Sequence, residues 1–250
     1  MGFAIPAVNH VGIREQTEQA LRRLWFGGRE IWWHTYWDLQ VSGLANLPAD
    51  GPMLLCSNHT SHLDAPAILA ALPGKIALQT ATAAARDVFG ARLKRTLSRI
   101  TTNALCVERR GDFAGGLRLL ENVLRQGRPL ILFPEGRRSQ DGGLLDFKCG
   151  AAMLAIRTGA PLIPIHITGL HESMPRGQHL PLPADVSVRF GRAIDPQSFQ
   201  AAIERGEIER REAYERLTEE LRSAINDLGN TSADECHSEP SPLYSGERAG

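Results

Sequence analysis

The feature that most constrains how this chain folds is an alternation of short apolar segments with longer segments of helical periodicity. The apolar segments predict strands at Pro52–Ser57, Lys75–Gln79, Ala104–Val107, Leu130–Phe133, Leu162–Ile167 and Val186–Phe190. The periodic segments predict helices at Asp64–Leu72, Thr82–Ile100, Asp112–Gln126, Lys148–Thr158 and Glu207–Leu228. Because strands separated by helices are typical of parallel sheets, this order predicts an α/β fold, with one domain built on a mixed, mostly parallel sheet flanked by helices.

Length and composition divide the chain into one folded domain and two flanking segments. A chain of 250 residues can bury one substantial core, and we assign residues 41–228 to it. Residues 1–40 are predicted as an N-terminal helical segment, in which Leu21, Leu24 and Trp25 are spaced for one helix face. Residues 229–250 are rich in Ser, Glu, Pro and Gly, which is typical of a disordered tail.

Charge and cysteine content argue against several functional classes. Lys and Arg number 28 and Asp and Glu also number 28, so no global field attracts nucleic acid. The four cysteines show no CxxC pair and no metal-ligand spacing, so we expect neither a metal site nor a disulfide framework. The N-terminus lacks the features of a secretory signal, and no apolar run reaches the roughly 18 residues of a spanning helix. We therefore expect a protein of the reducing cytosol that does not cross a bilayer.

The stretch from Trp25 to Trp37 concentrates aromatic residues. It contains all four tryptophans of the chain, together with Phe26 and Tyr36. Because Trp and Tyr are amphipathic and favour the membrane interface, one interpretation is a shallow interfacial anchor. The alternative is that these rings pack a helix onto the core. The sequence alone leaves both alternatives open.

A histidine and an aspartate follow the first predicted strand. His59 precedes Asp64 by five residues across a strand-to-helix turn, so the carboxylate can accept a hydrogen bond from one ring nitrogen. The other nitrogen is then free to take a proton as a general base. Asp64 also precedes Pro66 and is predicted as the N-cap of the following helix, a role compatible with orienting His59. Since the chain contains no GxSxG elbow, the pair predicts direct transfer to the hydroxyl of an acceptor.

Two further segments at strand ends contain arginines. Phe133–Ser139 reads FPEGRRS, and Val107–Arg110 reads VERR. Arginine binds phosphate through two parallel hydrogen bonds, and a glycine lets the backbone approach a ligand. Because ligands of open α/β sheets lie at the carboxyl ends of strands, we expect both segments near His59. A solvated turn with incidental charges is the alternative.

Together these segments resemble the glycerolipid (lysophospholipid) acyltransferase family, whose sequence blocks include NHxxxxD, a glycine-to-arginine stretch and FPEGTRS. Asn58 to Asp64 matches the first block completely, and Phe133 to Ser139 matches the third except at Arg137, where threonine is usual. Asp146 to Ala152 looks like the phenylalanine-lysine-x-glycine-alanine continuation, and Leu162 to Ile165 like the fourth block.

The second block is less similar to the family pattern. The segment from Asn103 to Arg109 keeps the final arginine, but Asn103 replaces the usual glycine and Cys106 the usual phenylalanine. These departures concern the pocket for the acceptor rather than the chemistry.

The resemblance implies an enzyme of phospholipid biosynthesis, bound peripherally at the cytoplasmic face of the membrane. It would move an acyl group from acyl-CoA or acyl carrier protein to a lysophospholipid, most simply 1-acylglycerol 3-phosphate. His59 would be the general base, and Asp64 would fix its tautomer. The acceptor's phosphate and glycerol would be held by Arg109, Glu135, Gly136, Arg138, Ser139 and Lys148. No metal or bound cofactor is implied.

Other functions stay open at this point. Glycerol 3-phosphate, a lyso-ornithine lipid and a glycolipid are alternative acceptors, because the second block departs from the family pattern. A catalytically silent, lipid-binding relative is a further alternative, against which stands the complete His59–Asp64 pair. A serine esterase is disfavoured by the missing elbow.

Overall fold

The described residues of the computed structural model are 25, 27, 28, 32–85, 101–107, 113–174, 178 and 180–230. Most of the predicted N-terminal helix lies outside them, as do residues 231–250 of the predicted tail. Gly229 and Asn230, assigned above to that tail, are still helical. Within the described residues, no helix combines the length and the apolar composition that crossing a bilayer requires.

The described residues form one seven-stranded sheet. Its strands are β1 (Gln40–Ser42), β2 (Leu54–Ser57), β3 (Ala81–Ala85), β4 (Ala104–Val107), β5 (Leu130–Leu132), β6 (Leu162–Thr168) and β7 (Ser187–Phe190). Their order is β1-β7-β6-β2-β5-β3-β4. Every neighbouring pair is parallel except β6 and β7. The predicted α/β class with a mixed, mostly parallel sheet is therefore confirmed.

Helices cover both faces of the sheet. They are α1 (residues 32–37), α2 (Asp64–Ala71), α3 (Gly74–Gln79), α4 (Phe113–Arg125), α5 (Gly150–Thr158), α6 (Leu170–Ser173), α7 (Gln197–Glu204) and α8 (Arg210–Asn230). Along the central strand β2, Leu55 packs into a core with α1 and α2, whereas Leu54 and Cys56 pack into a second core with α4, α5 and α8. Successive side chains of a strand point to opposite faces, so a strand between two cores is apolar throughout.

The predicted strand at Lys75–Gln79 is wrong, because these residues form α3. Ile76 and Ala77 are buried side by side, while Lys75 and Leu78 are exposed. Two adjacent buried positions followed by exposed ones fit the period of a helix, not the alternation of a strand. In so short a segment the sequence does not distinguish the two patterns.

The start of the predicted helix at Thr82–Ile100 is also wrong, because Ala81–Ala85 forms β3. Alanine favours helices in isolation, which explains the prediction. In the folded chain β3 pairs with both β5 and β4, so long-range pairing overrides the local preference. Residues 86–100 lie outside the described residues.

The aromatic helix α1 has two different faces. Trp33 and Trp37 are buried in the core, with their rings stacked at a centroid distance of 4.4 Å. Trp32 and Tyr36 are exposed and also stack on one another. Because residues four apart share a helix face, Trp33 and Trp37 form the inner side of the helix and Trp32 and Tyr36 the outer side. The core alternative is therefore confirmed for the inner side, and the interfacial anchor stays a prediction for the exposed outer side.

Candidate active site

The first and third sequence blocks meet because β2 and β5 are parallel neighbours. Cys56 of β2 lies opposite Leu132 of β5, so the turns that follow these strands leave the sheet at the same edge. His59 is in the first turn, and Glu135 is in the second. The position is the one expected for a ligand site of an open α/β sheet.

Asn58 fixes the course of the chain just beyond β2. Its side-chain Nδ2 donates to the backbone oxygen of Ile167 at 2.9 Å, and its Oδ1 accepts from the Ile167 amide at 2.8 Å. A buried amide side chain thus continues the strand pairing with β6 by one residue. No role was assigned to Asn58 from the sequence, although an asparagine directly after a buried strand is a usable signal, because an amide offers a donor and an acceptor like the backbone.

The predicted contact between His59 and Asp64 is present. The Nδ1 atom of His59 lies 2.8 Å from Oδ2 of Asp64, whose side chain is fully buried. The same oxygen accepts the backbone amides of Thr60 and Ser61 at 2.7 and 2.9 Å. An oxygen that accepts these donors also accepts from Nδ1, so the neutral ring carries its proton there. Nε2 is left with a lone pair, as a general base needs.

The prediction that Asp64 is an N-cap is wrong. The N-cap of α2 is Leu63, and no side chain caps this helix end. Asp64 is instead the first helical residue, and it bonds the turn before the helix rather than the helix itself. Its negative charge still lies in the first turn, where the helix dipole favours it.

The ring of His59 is held flat against Phe133. The two ring centroids are 4.1 Å apart, and the planes are inclined by 18°. The His59 side chain is 19% exposed. Phe133 covers one face and Asp64 binds one edge, so the imidazole is oriented while a part of it stays accessible.

Glu135 joins the two turns through the backbone. Its Oε1 accepts the amide of His59 at 2.8 Å, and its Oε2 accepts the amide of Leu145 at 3.3 Å. Burial raises the pKa of this carboxyl, and the two backbone donors oppose the shift. The family resemblance implied a substrate contact for Glu135, and this stays a prediction. In the structure both carboxylate oxygens accept main-chain amides, so Glu135 also holds the His59 turn in position.

Gly136, in the middle of the third block, is in contact with Lys148. Gly136 has a φ of +69°, and a Cβ at this position would lie 2.9 Å from Nζ of Lys148. A side chain at residue 136 would therefore strain the backbone and displace the ammonium group. Lys148 is itself tied to this turn, since its amide donates to the oxygen of Pro134 at 3.0 Å.

Ser139 is a second tie between the two turns. Its amide donates to the backbone oxygen of His59 at 2.7 Å, and its hydroxyl donates to Oδ1 of Asp141 at 2.8 Å. This hydroxyl and the amide of Gly143 lower the pKa of Asp141. Ser139 was predicted as a substrate contact, and its hydroxyl is used inside the loop. Asp141 was missed, although an aspartate before two glycines is a recognisable turn signal.

Of the remaining predicted substrate-binding residues, Arg138 and Lys148 lie in the described part of the chain and Arg109 does not. The side chains of Arg138 and Lys148 are exposed beside the His59 turn, as is that of Arg137. Arg109 lies outside the described residues, and β4 ends two residues before it, at the same edge of the sheet. Within the described part of the chain, no three His, Cys, Asp or Glu side chains are grouped to hold a metal ion.

Comparisons with known proteins agree with this geometry. A model of the Acyltransferase family matches residues 38–168. The 1-acyl-sn-glycerol-3-phosphate acyltransferase BAT2, chloroplastic, of Brassica napus is 29% identical over 175 residues, which are 66% of this chain and 46% of that protein. The 1-acyl-sn-glycerol-3-phosphate acyltransferase alpha of Homo sapiens is 29% identical over 130 residues, 51% of this chain and 44% of that protein. The matched part is thus less than half the length of these curated relatives.

The fold is also similar to a solved structure. The crystal structure of the 1-acyl-sn-glycerophosphate (LPA) acyltransferase PlsC from Thermotoga maritima superposes with a TM-score of 0.66 and 24% sequence identity. The match covers 88% of this chain and 84% of that one. At this identity the likeness shows the architecture of the sheet and its helices.

Proposed function

Because the chain belongs to the Acyltransferase family, we propose that it transfers a fatty acyl group from a thioester to the hydroxyl of a lysophospholipid. The proposed acceptor is 1-acyl-sn-glycerol 3-phosphate, which gives phosphatidic acid, and the names of its relatives support this choice. The proposed donor is acyl-CoA or an acyl carrier protein thioester. The observation that carries the proposal is the 2.8 Å contact between His59 and Asp64 at the ligand edge of the sheet.

In the proposed reaction, His59 activates the acceptor. Nε2 takes the proton of the glycerol hydroxyl as its oxygen attacks the thioester carbonyl carbon. The tetrahedral intermediate then expels the thiolate, which takes the proton back from the imidazolium. Asp64 keeps the proton of neutral His59 on Nδ1 and stabilises the positive charge that the ring carries between these steps. No residue of the protein is acylated.

The proposed acceptor site is the group of exposed cations beside His59. Arg138 lies directly before Ser139, whose amide binds the His59 oxygen, and the Lys148 ammonium lies beside Gly136, so both exposed cations belong to the turn next to His59. A phosphate there would meet a planar guanidinium and a compact ammonium, which bind its oxygens in complementary ways. We include Arg109 in this site on the resemblance to the family alone.

The test is transfer of labelled acyl groups by the purified protein. Acyl-CoA and acyl carrier protein thioesters are each offered with 1-acylglycerol 3-phosphate, glycerol 3-phosphate, a lyso-ornithine lipid and a lysoglycolipid. We expect the first acceptor to react fastest, and His59→Ala to lower turnover by about 10²–10⁴-fold or more while the protein stays folded. Near-parental turnover of His59→Ala would contradict the mechanism. Lysophospholipid binding without transfer to any acceptor would instead favour the silent relative.

We further propose that the protein acts at the cytoplasmic face of a membrane without spanning it. The support is the outer side of α1, where Trp32 and Tyr36 are exposed although aromatic rings of this size are usually buried. Shallow insertion of such rings depends on apolar area more than on charge. Binding to phospholipid vesicles should therefore persist at high salt, and loss of binding at high salt would contradict this mode of attachment.

A further inference from the structure

A second exposed apolar element lies next to α1. The segment 180–183 reads Leu-Pro-Leu-Pro, and its side chains Leu180 and Leu182 are 77% and 51% exposed. Each leucine precedes a proline, which restricts it to extended backbone, and each proline has a fixed φ. The loop therefore presents two leucines in a stiff extended segment. No local sequence pattern predicts that these leucines are exposed.

The loop is fastened to α1 by hydrogen bonds. The Tyr36 hydroxyl donates to the backbone oxygen of Pro181 at 2.8 Å. The indole nitrogen of Trp37 donates to the backbone oxygen of Leu182 at 3.1 Å and to the hydroxyl of Ser173 at 2.7 Å. The Ser173 hydroxyl donates to the backbone oxygen of Leu182 at 2.6 Å, and the Leu182 amide donates to the backbone oxygen of Ser173 at 2.7 Å. Because α1 and α6 both bond the backbone of this loop, its leucines have a defined position beside the exposed face of α1.

Strand pairing places α1 and the 180–183 loop at the edge of the sheet that holds His59. Ser187, the first residue of β7, lies opposite Thr168, the last residue of β6, and also opposite Gln40, the first residue of β1. Chain segments that precede β7 and β1 therefore lie where β6 ends. Since β6 is parallel to β2, that is also the edge where β2 ends and the His59 turn begins.

The helix α6 connects the loop with the active-site turns. Ser173 bonds Leu182 on one side. On the other side, a Cβ built on Gly142 would lie 3.3 Å from the ring of His171, so α6 touches the loop that contains Asp141. The helix α6 thus lies between the loop leucines and the loop that follows the third block.

We propose that Leu180 and Leu182 form, with Trp32 and Tyr36, a single lipid-facing surface that inserts shallowly into the bilayer beside the active site. This inference deepens the proposed function and rests on it. Of the seven large apolar side chains that are exposed among the described residues, four belong to this surface. Clusters of this kind mark an interaction site, unlike apolar residues scattered singly.

A bilayer is the partner that fits this position. A proposed lipid acceptor has to reach His59, and α1 and the 180–183 loop lie at the edge of the sheet where the His59 turn begins. Its members are leucines and amphipathic aromatic rings, the composition that inserts at the level of the headgroups. The edge also carries exposed side chains of both signs, including Arg138 and Lys148 as well as Asp146 and Asp185. Apolar insertion, rather than net attraction to anionic lipid, is the driving interaction.

The experiment compares two double variants in the full chain. Leu180→Ser/Leu182→Ser removes the loop leucines, and Leu78→Ser/Leu119→Ser is the matched control. Leu78 and Leu119 are 39% and 40% exposed. Leu78 precedes β3 at the opposite edge of the sheet, and α4, which contains Leu119, packs on the opposite sheet face from α1. The partition coefficient is measured by co-sedimentation with vesicles of phosphatidylcholine and phosphatidylglycerol. Melting temperature, light scattering, and transfer to a soluble short-chain acceptor are measured in parallel.

We expect the loop variant to partition roughly 10- to 100-fold more weakly, from the apolar area lost by two leucines. The control should partition like the parent. Both variants should keep the parent's melting temperature, mass, and transfer to the soluble acceptor. Equal partitioning of both variants would overturn the inference. A parent dimer that the loop variant dissociates would also overturn it, because the surface would then bind a second copy.

The proposed function and the surface can fail separately. If the parent transfers to no acceptor but the two variants differ in partitioning as expected, the proposed function fails and the lipid-facing surface stands. If transfer to the soluble acceptor is normal in all three proteins and partitioning does not differ, the surface fails and the proposed function stands.

Discussion

Replacing Asp64 by asparagine separates the proposed catalytic role of the carboxylate from its role in the fold. Asparagine keeps the shape and one carbonyl oxygen, which can still accept the amides of Thr60 and Ser61 or the Nδ1 proton of His59. It removes the negative charge 2.8 Å from Nδ1 that stabilises the imidazolium. In a comparable dyad, the loss of charge and of the correct tautomer lowers kcat by about 10⁴-fold, which corresponds to roughly 5.5 kcal/mol of barrier. We expect a loss of about 10³- to 10⁴-fold here.

The cost to stability should be much smaller. Three donors contact Oδ2 at 2.7–2.9 Å, and the side chain is fully buried. A hydrogen bond to a charged acceptor contributes about 1.5–3 kcal/mol, and one to a neutral acceptor about 0.5–1.5 kcal/mol. Weakening three of them predicts a loss of roughly 3 kcal/mol in the free energy of unfolding. That leaves a folded protein only if the parent is stable by clearly more than this amount, so unfolding is measured first.

The assay is turnover with a soluble short-chain acceptor, alongside denaturant unfolding of the same samples. The matched control is Asp195→Asn, an aspartate that is exposed and bonds the Gln197 amide away from His59. The control should keep both turnover and stability. A folded Asp64→Asn protein with turnover within about tenfold of the parent would refute the dyad mechanism, because about 1.4 kcal/mol is too little for lost imidazolium stabilisation.

Three further predictions concern other side chains. Arg138→Ala should raise the KM for the acceptor far more than that for the acyl donor, and equal changes in steady-state kinetics would mean that the arginine does not bind the acceptor. Trp37→Ser should lower the free energy of unfolding by about 3–5 kcal/mol in denaturant, because the ring is buried and bonds the 182 loop, whereas Trp32→Ser should leave stability nearly unchanged. Glu135→Gln should remove a pH dependence of stability. Since burial raises the pKa of Glu135, its ionised form is disfavoured in the folded state. The difference in unfolding free energy, parent minus variant, should therefore fall as pH rises from the ordinary pKa of a glutamate through the raised pKa of the folded state. A constant difference across a pH series of unfolding curves would refute this reasoning.

The parts of the site that were predictable depend on local spacing. His59 and Asp64 are five residues apart across one turn, so their contact requires only that turn. The helix end was misjudged because a residue that can cap a helix can equally bond the turn before it, and one residue of shift decides between the two. The strand and helix around Lys75–Ala85 were exchanged because short apolar segments carry little periodicity, and long-range pairing then decides.

The role of Glu135 shows where sequence reasoning ended. The carboxylate and the His59 amide that it binds are 76 residues apart in the chain. The family resemblance implied a substrate contact for Glu135, and no sequence pattern indicated its bond to the His59 turn. Only the parallel pairing of β2 with β5 brings the two turns together, and a buried amide then requires an acceptor. The same holds for Ser139, whose amide binds the oxygen of His59 over a comparable separation.

By itself, the sequence determined the α/β class and the dyad spacing, because helix and strand periodicities and a five-residue turn are properties of neighbouring residues. The family resemblance added the acyltransferase reading of the dyad. The tertiary structure decided which side of the aromatic helix is core, since Trp33 and Trp37 face the sheet while Trp32 and Tyr36 face outward. It also decided that Leu180 and Leu182 lie beside that outer side, although 144 residues separate Tyr36 from Leu180. This neighbourhood arises because β7 and β1 are parallel and begin side by side, at the end of β6, and no local pattern contains it.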